Sequence, residues 1–154
     1  MTKEQILQDF ILIKKMNAPL KTKISFLTYL FANQDNPWRV IGITHDALDV
    51  FANHGFKKVS RMGINRSHLI ARNESYRELL EKEFENADEW WTFYYSRDMT
   101  ILSTSSENMS SNFSQVYTID ENHGLFKTSG YAWKHRKEET AFLKALAEQF
   151  LRQH

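Results

Sequence analysis

Residues 38–55, WRVIGITHDALDVFANHG, constrain the fold more than any other stretch of this chain. WRVIGIT is short and β-branched, which suits a strand. HDALDVFANH follows it without a loop and has the composition of a helix. Thr44 stands where its hydroxyl can cap the first turn, and Gly55 stands where a helix ends in the left-handed conformation. A strand passing straight into a helix requires both kinds of element in one fold.

The flanking sequence supplies the rest. Thr2 and Gln5 fit a capping box, and Ile6, Phe10, Ile13 and Met16 recur at helical spacing, so a first helix should run to about Asn17, before Pro19. KISFLTYLFANQ predicts a second helix, although the alternation of Ile24, Phe26, Thr28 and Leu30 also suits a strand. NESYRELLEKEFENADEWWTFYYSRD predicts two helices with a break near Asn86 to Asp88. MTILSTS and QVYTID read as strands, ENMSSNFS between them as a polar loop, ENHGLF as a turn and SGYAWKH as a last strand. From Glu138 to Gln153 the spacing of Phe142, Leu143, Leu146 and Phe150 predicts an amphipathic terminal helix. Helices at both ends around a small, mainly antiparallel sheet make an α+β fold. With no repeat and no linker, residues 1–154 are expected to form a single globular domain.

Composition narrows function by exclusion. Twenty Lys and Arg against nineteen Asp and Glu leave a formal charge of +1, so a site for a polyanion has to be a local patch. The absence of cysteine removes disulfides and thiolate metal sites and fits a reducing cytosol. Charges at Lys3, Glu4, Asp9, Lys14 and Lys15 interrupt the N-terminal segment, so the expectation is a soluble, cytoplasmic protein without a membrane association. No glycine-rich phosphate loop, paired Cys/His zinc spacing, nucleophile elbow or His-Glu-x-x-His pair occurs, which argues against nucleotide hydrolases, zinc enzymes and serine hydrolases.

RMGINRSHLIAR, residues 61–72, is the passage that most resembles a site. Gly63 frees the backbone to turn, and Arg61, Arg66 and Arg72 offer planar donors suited to phosphate oxygens. If residues 66–70 are extended, Arg66 and His68 point to one side of the chain, a phosphate clamp beside a proton acceptor. NRSHL, residues 65–69, resembles the Asp-Arg-Gly-His-Leu motif of the nonspecific nuclease branch of the His-Me finger superfamily, the group that includes HNH nucleases. Arg66, His68 and Leu69 match, whereas Asn65 stands for the acid and Ser67 for the glycine. The resemblance covers residues 56–113. It implies a metal-dependent nuclease acting on DNA or RNA phosphodiesters, with His68 as general base, Arg66 at the phosphate and one Mg²⁺ held by an asparagine further along. Asn108 is the first candidate for that ligand and Asn112 the second, with Glu107 as a further oxygen donor.

A plainer reading of the same residues stays open. Arg66 then pairs with Glu74 or Glu78, and His68 is a partly buried histidine. Lys57, Lys58, Arg61, Arg66, Arg72 and Arg77 still concentrate positive charge here, and Lys134 and Arg136 form a second basic cluster. Such a surface suits nucleic-acid backbone binding whatever the chemistry. The alternative to a nuclease is therefore a small binding protein, a phage or bacterial regulator or inhibitor that holds a nucleic acid or a protein partner. Exposed aromatics would add to that surface: EWWTFYY, residues 89–95, could stack bases, although its rings alternate between faces of a helix and most of them should be core.

Overall fold

The computed structural model describes residues 1–150. Residues 151–153 of the expected terminal helix lie outside the described residues. The elements, in chain order, are α1 (Lys3–Lys15), α2 (Leu20–Ala32), β1 (Arg39–Thr44), α3 (His45–Asn53), β2 (Ile64–His68), α4 (Arg72–Glu81), α5 (Ala87–Arg97), β3 (Met99–Thr104), α6 (Ser105–Ser110), β4 (Val116–Thr118), β5 (Thr128–Ser129), β6 (Ala132–Trp133) and α7 (Lys137–Phe150). A 3₁₀ turn occupies Glu121–His123. The fold is α+β, with a four-stranded sheet in the order β2-β3-β1-β4 and a small β5-β6 hairpin.

Hydrogen bonds at the strand ends give the directions. Leu69 donates to the Met99 carbonyl and Ser105 to the Gly63 carbonyl, so β2 runs antiparallel to β3. Arg39 at the start of β1 donates to the carbonyl of Asp98, just before β3, and Thr44 at its end bonds Glu107, just beyond β3; these two strands run parallel. β4 is antiparallel to β1, with Gly42 opposite Thr118. Gly42 has to be small because a Cβ there would lie 2.9 Å from Val116 Cγ1 and 3.1 Å from the Tyr117 carbonyl oxygen.

Local chemistry fixes the element ends much as the sequence implies. The Thr2/Gln5 capping box forms, Thr44 accepts from Ala47 N–H to cap α3, Asn86 caps α5, and Gly55 takes a φ of +62° after α3. Two expectations need correction or resolution. ENMSSNFS is not simply a polar loop: its first part is α6, nucleated by a second capping box in which Thr104 and Glu107 bond each other's backbone. KISFLTYLFANQ is helical, because the helix buries Leu27, Leu30 and Phe31 on one stripe, which no strand alternation would group together.

The chain forms two compact units. The first comprises residues 1–39, 68–99 and 128–132 and contains α1, α2, α4 and α5. Its core is aromatic: Phe10, Phe31, Tyr76, Trp90 and Tyr94 close around Ile6, Leu27 and Leu79, and the Phe31 and Tyr94 rings stack at 4.1 Å. The second comprises residues 40–67, 100–127 and the segment from Trp133 onward. Its core is mostly aliphatic, with Val40, Ile43, Leu48, Leu102, Ile119 and Leu143 joined by Phe51 and Phe126. Among the described residues no helix is long and apolar enough to cross a membrane.

Candidate nucleic-acid interface

The passage from Gly63 to His68 is an ordered strand. Gly63 takes a φ of +75°, a backbone state that side chains with a Cβ rarely adopt, and its carbonyl accepts both the backbone N–H and the hydroxyl of Ser105, at 2.8 and 3.1 Å. The Asn65 amide donates to the same Ser105 hydroxyl at 3.0 Å. Ser67 is buried with its hydroxyl on that of Ser103. Strand alternation then sends Arg66 and His68 to the side opposite Asn65 and Ser67. Asn65, standing where the nuclease motif has its acid, is thus committed to Ser105 and does not orient His68.

His68 belongs to the first unit, where its ring sits edge-on to Trp38 with centroids 6.0 Å apart. Trp38 holds a φ of +52°, costly for a bulky side chain; its backbone N–H donates to Asp98 Oδ1 at 2.9 Å and its indole N–H to the Tyr76 hydroxyl at 3.2 Å. Burial pushes the Tyr76 phenol well above its ordinary value, so it stays protonated. His68, Ser75, Asp98 and Arg72 share a cleft of about 10 Å³, the space of one water molecule and too small for a phosphodiester.

The expected metal ligands lie in the second unit. Asn108 is exposed on α6 and Asn112 is exposed just beyond it. Glu107 is buried, and both carboxylate oxygens are occupied: Oε1 accepts from the Ser114 N–H and hydroxyl, Oε2 from the Thr104 N–H and the hydroxyls of Thr44 and Thr104. Burial raises its pKa, but these donors outweigh burial and carry it down to about 2. Glu107 is therefore a structural carboxylate joining α6 to the strand ends. The segment offers a cation two exposed amide oxygens, at Asn108 and Asn112, and no open carboxylate.

Basic side chains do gather in the second unit. The Lys58 ammonium lies 3.5 Å from the centroid of the Trp133 ring and 3.4 Å from the Trp133 carbonyl oxygen. Burial lowers its pKa, and the positive charge of Arg66 lowers it further. Lys57, Arg61 and Lys134 are exposed. Among the described residues none of Lys57, Lys58, Arg61 and Lys134 pairs with a carboxylate.

Two further sequence candidates have close neighbours of their own. Arg136 is bound at 3.0 Å to Glu139, which is fully buried at the start of α7, and reaches Glu138 at 3.7 Å, so its charge is spent on holding a helix end. Arg72 belongs to the first unit, 5.5 Å from the centroid of the Trp38 ring. Trp133 is the residue that sequence reasoning missed; its place directly before Lys134 in AWKH was the available signal. No protein-family model, curated protein or solved structure matches the chain.

Proposed function

We propose that this protein binds nucleic acid through the basic face of its second unit, with Lys57, Lys58, Arg61, Arg66 and Lys134 meeting backbone phosphates beside Trp133. The observation that carries the reading is the Lys58 ammonium, which lies 3.5 Å from the centroid of the Trp133 ring and, among the described residues, rests on no carboxylate. An ammonium on a ring keeps donors for a phosphate oxygen, and the charge-assisted hydrogen bond it would make is among the stronger ones. With a net charge of only +1, the attraction acts locally. The cytosol is the proposed location, on the cysteine-free composition.

The test is a gel shift with duplex DNA and single-stranded RNA over a range of salt. Lys58→Ala and Arg61→Ala should each weaken binding across sequences and reduce the slope of log affinity against log salt by about one. Absence of a shift with either nucleic acid at low salt overturns the reading.

A nuclease reading rests on Arg66 and His68 sharing one side of β2. The same preparations decide it: incubation with plasmid and RNA in Mg²⁺, Mn²⁺ and EDTA, beside a folded His68→Ala variant. Metal-dependent cleavage lost in that variant establishes it, and intact substrate under every condition removes it. A protein partner in place of nucleic acid is the outcome to pursue when no nucleic acid shifts.

A further inference from the structure

The first unit carries a groove of about 890 Å³ lined by one side of α2, the start of α4 and the turn between β5 and β6. Three cations line it, Lys21, Arg72 and Arg77, and among the described residues none of them has a carboxylate partner and no Asp or Glu joins the lining. Two rings line it as well, Tyr29 at 73% exposure and Tyr131 at 70%. α2 buries Leu27, Leu30 and Phe31 on its other side and leaves Tyr29, with Leu20 and Phe26, exposed.

Tyr131 and Arg72 are both anchored on one buried ring, that of Trp38. Tyr131 follows Gly130, whose φ of +52° makes the turn, and the Tyr131 ring centroid stands 5.2 Å from that of buried Trp38. Arg72 lies over the same indole, and its Nε is buried without an acceptor, so the guanidinium has a donor unspent. α4 begins in the groove at Arg72, and its N-cap residue Ala71 supplies no side-chain acceptor to the first-turn N–H groups. Backbone donors, two arginines and a lysine thus surround a space walled by two tyrosines.

We infer that this groove binds a short run of unstacked single-stranded nucleic acid, with bases stacked on Tyr29 and Tyr131 and phosphates held by Lys21, Arg72 and Arg77. Aromatic platforms beside a cationic track are the combination that holds single strands, because every base offers a π-face while the backbone offers regular negative charge. Duplex DNA keeps its bases paired and gives the tyrosines nothing to stack. The groove deepens the nucleic-acid reading but stands on different residues from the basic face.

The experiment is fluorescence anisotropy of a short labelled oligothymidylate against the whole protein, with circular dichroism confirming each variant's fold. The variants are Tyr29→Ala with Tyr131→Ala, Tyr131→Phe, Arg77→Gln, and Lys58→Ala with Arg61→Ala. Losing a stacked base should weaken binding about 5- to 150-fold for each tyrosine removed, Tyr131→Phe should retain it, and Arg77→Gln should lower the salt slope by about one. The Lys58/Arg61 variant should keep its hold on this strand. Wild-type affinity in the tyrosine double variant overturns the inference, and when the Lys58/Arg61 variant alone has lost binding, the proposed function survives without the groove. Displacement of the strand by thymidine monophosphate at equal nucleotide concentration overturns it in favour of a free nucleotide, and displacement by polyglutamate at equal charge overturns it in favour of an acidic polymer. No binding of the oligothymidylate by the wild type overturns the groove, and the gel shift with duplex DNA and RNA then decides the proposed function on its own.

Discussion

The two units bury polarity in different ways. The first hides phenols: burial drives both Tyr76 and Tyr94 well above the ordinary range, so they remain neutral, and their oxygens accept from the Trp38 indole and the Gln34 amide among stacked rings. Asp98 is its buried carboxylate. The second hides two carboxylates, Glu107 and Glu139, each kept ionised by hydrogen-bond donors that overcome burial. A neutral phenol needs one partner and tolerates a wide pH range. A buried carboxylate needs several partners and gives up its contribution in acid. The aromatic core therefore depends more on shape, with Asp98 at its edge, and the second core on two ionised carboxylates.

The contrast can be broken at four points. Phe31→Ala removes the ring stacked on Tyr94 and should cost about 3–5 kcal/mol by the usual price of emptying an aromatic core site. Urea unfolding followed by tryptophan fluorescence reads this directly, since Trp38, Trp90 and Trp91 all lie in the first unit. A cost under about 1 kcal/mol would mean that shape is not what holds this core.

Next in size is Glu107. Its folded pKa of about 2 lies below the ordinary carboxylate value of 4.5, so its contribution is fully present above the unfolded value and drains as pH falls from there toward 2. The loss over that window is ~3 kcal/mol. Glu107→Gln should cost about 2–3 kcal/mol at neutral pH, because an amide donor then faces the Ser114 or Thr104 N–H, and should flatten this part of the acid dependence. An unchanged acid profile in that variant would assign the dependence to another group, with Glu139 first in line.

Gly42→Ala should cost about 1–3 kcal/mol, since the added Cβ meets Val116 and a backbone oxygen that cannot move aside cheaply. A neutral result in thermal unfolding would show that β4 yields. Smallest is Thr2→Ala, about 1 kcal/mol through the lost cap of α1. It is read as a shift in the urea midpoint, and no shift would show that α1 is held by its buried face alone.

Much of the fold was legible because it is written locally. Thr44, Thr2 and Gln5, Asn86 and Gly55 each act within a turn of their own position, so their caps and stops could be read from adjacent residues. The missed helix, α6, was hidden by its serines and asparagines, which read as loop although the Thr104-x-x-Glu107 box was present. The candidate site was less legible. Lys57, Lys58, Arg61 and Lys134 lie in the second unit and, among the described residues, have no carboxylate partner, but Arg136 is bound to a buried glutamate, and Arg72 belongs with α2 and Tyr131 across a groove. Nothing in the spacing of charges distinguishes a spent arginine from an available one.

The sequence by itself determined the α+β class, the capped helix ends and the local concentration of positive charge, because those depend on side chains near their own backbone. Tertiary structure alone decided that Asn65 serves Ser105, that Glu107 is a pin for three backbone segments, and that Tyr29 and Tyr131 face one groove with Arg72 and Arg77. The physical reason is reach. A hydrogen bond or a charge acts over a few ångströms, and only the folded chain decides which residues, distant in sequence, come within it.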